Sequence, residues 1–141
     1  IERFQGYCFA LIDAGIPLEA GLIQPPISSG FPNKGYREML ALIERGERFD
    51  AVFCVSDRTA FGALQALQEA GLRVPQDVAV IGFDNTVQSS YTTPPLTTVN
   101  MPKKDLGEVA VHRLYDLMNG ETLLQPVKIV LPTSLVIRDS T

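Results

Sequence analysis

The sequence predicts an open α/β fold, a parallel sheet with helices on both faces. Three observations carry this. Segments of strand length alternate along the chain with segments of helical period. The clearest strand candidates, "DAVFCVS" at 50–56 and "PQDVAVIGF" at 75–83, have apolar centres without polar alternation, as strands do when both faces are covered. The segment between them, "DRTAFGALQALQEAG", is long enough for the helical crossover that two parallel neighbours require.

The elements follow in order. In "FQGYCFALIDAG", Phe4, Tyr7, Cys8, Leu11 and Ile12 recur at helical spacing, and Gly15 closes the helix. "AGLIQPP" is a short apolar piece stopped by Pro25 and Pro26. "NKGYREMLALIERG" places Tyr36, Met39, Leu40 and Ile43 on one helical face and ends at Gly46. The helix over 57–71 is buried through Ala60, Leu64 and Leu67 and ends at Gly71. After the second strand, "DNTVQSSYTTPP" reads as a loop and "LTTVN" as a short extended piece. "KKDLGEVAVHRLYDLMNG" is a fourth helix with Leu106, Val109, Ala110, Leu114 and Leu117 in a stripe. "PVKIVLPTSLVIR" reads as two strand pieces interrupted by Pro132. There is no internal repeat and no low-complexity segment.

Composition narrows the function. The chain has 141 residues, the size of one domain, with 45% hydrophobic and 20% charged residues, enough apolar material for a core. Its net charge of −4 offers no basic face to displace phosphate counterions, so nucleic acid is not its own partner. Cys8 and Cys54 are unclustered and suggest neither a metal site nor a disulfide framework; Cys54, inside "AVFCV", reads as a small core residue. No run approaches the roughly 20 apolar residues of a membrane-spanning helix. No signal peptide is visible, and "IERFQGY" reads as a start partway through a longer protein. Neither a Gly-x-Gly-x-x-Gly nor a phosphate-loop pattern occurs. The single histidine, His112, falls on the polar side of its helix, so a nucleophile–histidine arrangement would need other chain parts. No cofactor, no metal and no enzymatic activity are expected.

In open α/β sheets, ligands bind outside the carboxyl ends of the strands. That places Ser56, Asp57 and Asp84 at a candidate pocket. Each has a structural alternative: Ser56 or Asp57 caps the helix that follows, and Asp84 holds its loop through an Asx-type turn. Asp84 is the harder to dismiss, because no helix clearly follows it. Phe31, in the loop "SSGFPNKG", either packs on the domain or offers a face to a ring. Arg113 lies in the apolar stripe of the fourth helix, and either its stem snorkels or an acidic group on a neighbouring element meets it.

Several motifs then line up in one order: "RFQGYCFALIDAGI", the long signature "FDAVFCVSDRTAFGALQALQEAGLRVPQDVAVIGFDN", "PPLTTVNMPKKDLG" and the closing "LPTSLVIRDST". Together they resemble the lactose/galactose repressor family of bacterial transcription regulators over essentially the whole chain. The resemblance implies a periplasmic-binding-protein-like (type I) effector domain, here incomplete. Residues 1–98 would form its second subdomain, 99–121 a segment crossing toward the first, and 122–141 returning strands. The DNA-binding head, the hinge helix, most of the first subdomain and the first strand of the second would lie outside this chain. It further implies a cytoplasmic homodimer, most naturally a repressor, that meets operator DNA only through the absent head and senses a small sugar or purine-like effector. Carried over residue by residue, Arg3, Phe31, Ser56 and Asp84 match effector-binding positions, with Ser56 standing where an asparagine is frequent and Met101 where some members have a polar side chain. Asp57 then looks more like the helix cap than a ligand group. Phe61, Gln65, Gln88, Ser90 and Tyr91 match dimer contacts. The alternative is a periplasmic solute-binding protein of a sugar transporter, which would share the fold.

Overall fold

The computed structural model describes residues 2–26, 33–120 and 127–141. Four helices, α1 (Glu2–Asp13), α2 (Lys34–Glu44), α3 (Asp57–Glu69) and α4 (Lys103–Met118), accompany four strands, β1 (Ala51–Phe53), β2 (Ala79–Asp84), β3 (Thr97–Asn100) and β4 (Ser134–Val136). Short 3-10 helices occupy Ala20–Leu22 and Val87–Ser90. The strands form one sheet in the order β1-β2-β3-β4. β2 runs parallel to β1 with Val52 opposite Val80, and parallel to β3 with Asp84 opposite Asn100.

The core lies between the sheet and the α2–α3 pair. Ala60, Ala63, Leu64, Ala66 and Leu67 of α3 pack with Met39 and Leu42 of α2 and with Val78, Val80 and Leu96. Close approach of the two helices depends on two glycines. A Cβ on Gly62 would strike the backbone of Gly35 and Tyr36, and one on Gly35 the carbonyl of Thr59. At the rim of this contact the Tyr36 hydroxyl donates to Glu69 Oε2 at 2.5 Å, while Gln65 donates to Glu69 Oε1 at 2.9 Å and accepts from Asn33 at 3.3 Å. These bonds, the tyrosine's first, hold the Glu69 carboxyl below its ordinary range, and the tyrosine's own pKa is raised.

Helices do cover both faces. Neighbouring residues of a strand point to opposite sides; Gly82 faces Asp57 at the start of α3, whereas the Phe83 ring lies under Arg3 of α1. The cover is uneven, because α3 has seven buried residues and α1 and α4 have none. Gly15 and Gly71 end their helices as the sequence predicts. At φ of 69° and 76° each lets the next residue's N–H bond back five residues, Ile16 to Leu11 and Leu72 to Leu67, both at 2.9 Å.

Two expectations need correction. The sheet is mixed, because β4 lies antiparallel to β3, pairing Val136 with Thr98. An edge strand forms only one ladder, and an antiparallel edge on a parallel sheet is a common arrangement. The closing segment also supplies one strand instead of two. Residues 127–133 have no regular structure, and pairing resumes only after Pro132, which has no N–H to offer a ladder. The predicted loop after Asp84 contains the 3-10 turn Val87–Ser90.

The outer edge of β1 has no partner strand among the described residues. Beside it runs an apolar trough of about 740 Å³, lined by Phe4, Tyr7, Leu22, Ile23, Met39 and Val52 among others.

The α2–α3 crossing yields a stability test. Gly62→Ala is expected to destabilise the fold by about 1–3 kcal/mol through overpacking. Gly107→Ala, in α4 where an added Cβ meets nothing within 4 Å, is expected to stabilise it by roughly 0.5–1 kcal/mol through helix propensity. Denaturant midpoints of the two variants check the opposite signs.

Candidate functional site

β1, β2 and β3 end side by side, and the loops leaving them build one polar cluster. Its centre is the ion pair between Arg3 and Asp84, with Nη2 3.2 Å from Oδ1. Arg3 stands in the first turn of α1. Its guanidinium carbon lies 4.0 Å from the centroid of the Phe83 ring, a cation–π contact. Nη1 donates to the carbonyl of Val55, just beyond β1, and Nη2 also lies 3.8 Å from the Met101 sulfur. Asp84 is the last residue of β2 and has φ of 113°; Asn85 follows at 48°. Non-glycine residues rarely adopt such angles, so the surroundings must hold this turn.

They hold it at several points. The ammonium of Lys103, at the start of α4, donates to the carbonyls of Asp84 and, at 3.1 Å, Asn85. The Asn85 amide donates to Asn100 at 3.0 Å and accepts from Arg138 at 2.8 Å. Arg138 also donates to the Leu96 carbonyl at 2.6 Å and to Ser89 Oγ at 3.1 Å. Beneath the turn, the fully buried Asp57 accepts from the N–H and hydroxyl of Thr86.

The two acid-bearing strand ends therefore differ. Ser56 is the cap of α3, its hydroxyl accepting from the N–H of Thr59 at 3.2 Å. Asp57, read from sequence as the cap, sits one position later, and its carboxylate is engaged with the turn after β2 and with β3. The cap expectation for Asp57 is thus corrected. A serine followed by an aspartate fits the cap pattern in either register, and only the backbone decides between them.

Arg3 and Asp84 are brought together, with Ser56 close behind the Val55 carbonyl that Arg3 bonds. Phe31 lies outside the described residues. Gln88, Ser90 and Tyr91 are exposed on the turn after β2, where Val87 and Tyr91 are 79% and 81% exposed. Phe61 is half-buried against the core, and Gln65 is exposed and bonded within the Asn33–Glu69 cluster. Arg113 meets an acid on its own helix: Asp116 stands 3.7 Å away, one turn on. Sequence reasoning missed Phe83, Lys103 and Arg138. A strand residue, a lysine at a helix start and an arginine near the end of the chain carry no local signature of a shared site.

The cluster offers a carboxylate acceptor and a forked cationic donor seated on an aromatic ring, within a few ångströms. Such a set orients a polar ring by hydrogen bonds to its hydroxyl or N–H groups. The large apolar trough runs along β1 and reaches Val55, but neither Arg3 nor Asp84 lines it. Among the described residues no group of histidine, cysteine, aspartate or glutamate could hold a metal ion, and no helix is long and apolar enough to cross a membrane. The Cys54 thiol is pushed up to about 12, first by burial and then by the negative charges of Glu38 and Asp57, which disfavours the nucleophilic thiolate.

Residues 1–141 match the periplasmic binding protein-like domain family. The chain is 38% identical over 140 residues to the HTH-type transcriptional regulator CelR of Thermobifida fusca, covering 99% of this chain and 40% of that protein. It is 45% identical over 120 residues to the HTH-type transcriptional repressor PurR of Erwinia tasmaniensis, covering 84% and 34%. A solved complex of the transcriptional regulator CelR with cellobiose superposes with a TM-score of 0.89 at 38% identity, over 99% of this chain and 42% of that one. The lac repressor dimer bound to operator and the anti-inducer ONPF superposes with a TM-score of 0.80 at 33% identity, over 99% and 46%. The chain spans 34–40% of the length of these two relatives.

The two cysteines should respond differently to a maleimide on the native protein. Half-buried Cys8 is expected to label, and Cys54 only after unfolding. Peptide mass spectrometry before and after denaturation checks this.

Proposed function

The chain belongs to the periplasmic binding protein-like domain family, and from this we propose that it forms the effector-sensing and dimerising part of a bacterial transcription regulator of the lactose/galactose repressor kind, a cytoplasmic repressor. The observation that carries the reading is the Arg3–Asp84 pair over Phe83, at the sheet end where such folds take their ligands. The relatives support it, since CelR and PurR are both named as HTH-type regulators. That favours a regulator over a transporter's solute-binding protein.

In this reading residues 1–98 are the second subdomain, 99–121 cross toward a first subdomain, and 122–141 return. The trough beside β1 seats a further strand from the part of the protein that this chain does not span, and operator DNA is met by a separate head. The effector is a small sugar or purine-like molecule held by Arg3, Asp84, Ser56 and Phe31. The Arg3–Asp84 pair is a third exposed on each side, so opening it costs on the order of 0–1 kcal/mol. An effector hydroxyl can then take the carboxylate while the guanidinium keeps its fork for a second oxygen. Binding shifts the balance between two arrangements of the subdomains by as much as the effector's affinities for them differ. The dimer face includes Phe61, Gln65, Gln88, Ser90 and Tyr91, and Tyr91 is its most exposed aromatic.

Calorimetric titration of the full-length regulator with a panel of sugars and purines, cellobiose included, tests the site. Asp84→Ala is expected to weaken the bound panel member about 10- to 100-fold, the loss of one charge-assisted bond of roughly 1.5–3 kcal/mol. Wild-type affinity in the variant would remove Asp84 from the site. Sedimentation of Tyr91→Glu tests the dimer face. The expected result is at least tenfold weaker dimerisation, about 1.4 kcal/mol, and an unchanged dimer constant excludes Tyr91 from the interface.

A further inference from the structure

Asp57 is the one fully buried carboxylate among the described residues, and effector binding as proposed gives it no direct part. Both of its oxygens are nonetheless engaged. Oδ2 accepts from the Thr86 N–H at 2.7 Å and the Thr86 hydroxyl at 3.1 Å, and Oδ1 accepts from the Thr98 hydroxyl at 2.5 Å. Thr98 Oγ1 in turn accepts the N–H of Asn85 at 3.3 Å. The backbone N–H groups of both residues after Asp84 therefore end on this carboxylate, one directly and one through a hydroxyl relay.

These bonds flank the two residues with left-handed angles, Asp84 at 113° and Asn85 at 48°. Such a turn persists only where its surroundings over-determine it. The sheet makes room for the restraint, because a Cβ on Gly82 would overlap Asp57 Oδ1. The restraint also reaches onward, since the Thr86 carbonyl accepts from the N–H of Ser89 at 3.0 Å and from its hydroxyl at 2.6 Å.

We infer that Asp57 is the positioning residue of the effector site: from beneath, it locks the Asp84–Thr86 turn so that the Asp84 carboxylate meets Arg3 and the effector. The inference rests on the reading of Asp84 as an effector acceptor. An asparagine in place of Asp57 would not serve. With its NH2 toward Thr86 it would oppose the fixed donor of the Thr86 N–H; with its NH2 toward Thr98 the hydroxyl can accept it only by turning its own hydrogen away, and in either orientation the bonds lose the carboxylate's charge.

The test is a double-mutant cycle in the full-length regulator, with cellobiose and guanine as probes. Asp57→Asn is expected to weaken the bound probe at least tenfold in the wild-type background and to add no further loss in Asp84→Ala, because its effect passes through Asp84. Equal losses in both backgrounds, or none in either, overturn the positioning role. Wild-type affinity in Asp84→Ala instead overturns the reading of the site itself. Hydrogen exchange needs no probe. In Asp57→Asn, amides 85–90 should exchange faster while those of α2 and α3 keep their protection; retained protection of 85 and 86 overturns the inference. Thr98→Val, which cuts only the relay, covers the case in which Asp57→Asn does not fold. It should release amide 85 and weaken the probe less than Asp57→Asn was expected to. Unchanged exchange at 85 together with unchanged affinity counts against the inference.

Discussion

A carboxylate taken wholly out of water is tolerated only when hydrogen bonds replace its hydration. Asp57 meets that demand without a cation, from one amide and two hydroxyls. Much of the molecule is arranged around this requirement. Gly82 has no side chain so that the carboxylate can reach the sheet, Thr98 occupies a fully buried strand position as a donor, and the chain leaves β2 through a turn that brings Thr86 over α3. The strand, helix and loop that carry the site thus share one internal anchor. Arg138 works in the same sense from the far edge of the sheet, joining Asn85, Ser89 and Leu96.

Around this anchor the chain is strongly one-sided. α2 and α3 close tightly through paired glycines, and nearly all of the buried apolar side chains belong to that layer and the strands beneath it. α4 instead shows Leu106, Leu114 and Leu117 of its stripe at 39%, 58% and 43% exposure. An amphipathic helix with its apolar stripe in solvent gains no burial energy from that stripe. This distribution agrees with the coverage of the relatives, of which the chain represents well under half.

The parts that could be read from sequence are those fixed locally. Helical periodicity and the closing glycines located α1, α2 and α3, and the apolar runs located β1 and β2, because both signals arise from neighbours a few residues apart. The position of Asp84 at the carboxyl end of a strand followed from the order of the elements. The roles of Asp57 and Arg113 did not follow. The first depends on partners 29 and 41 residues away, and the second on which side chains face each other around one helix. The direction of β4 was equally hidden, since a short apolar strand reads the same whichever way it runs. The motif resemblance supplied the family, but the pairing of Arg3 with Asp84 came only from geometry.

In the proposed reading, that pairing bears on which effectors the site favours. Arg3 and Asp84 satisfy each other, so a molecule entering the proposed site competes with an intramolecular partner already in place. A ligand offering only donors takes Asp84 and leaves the guanidinium to the Val55 carbonyl and the Phe83 ring; one offering only acceptors leaves the carboxylate unmatched. Adjacent hydroxyls, or the alternating N–H and carbonyl edge of a purine, replace both halves of the pair at once. In the proposed reading the pair is therefore a mild selector for bifunctional edges, setting a singly matched solute back by up to about 1 kcal/mol, roughly fivefold in affinity.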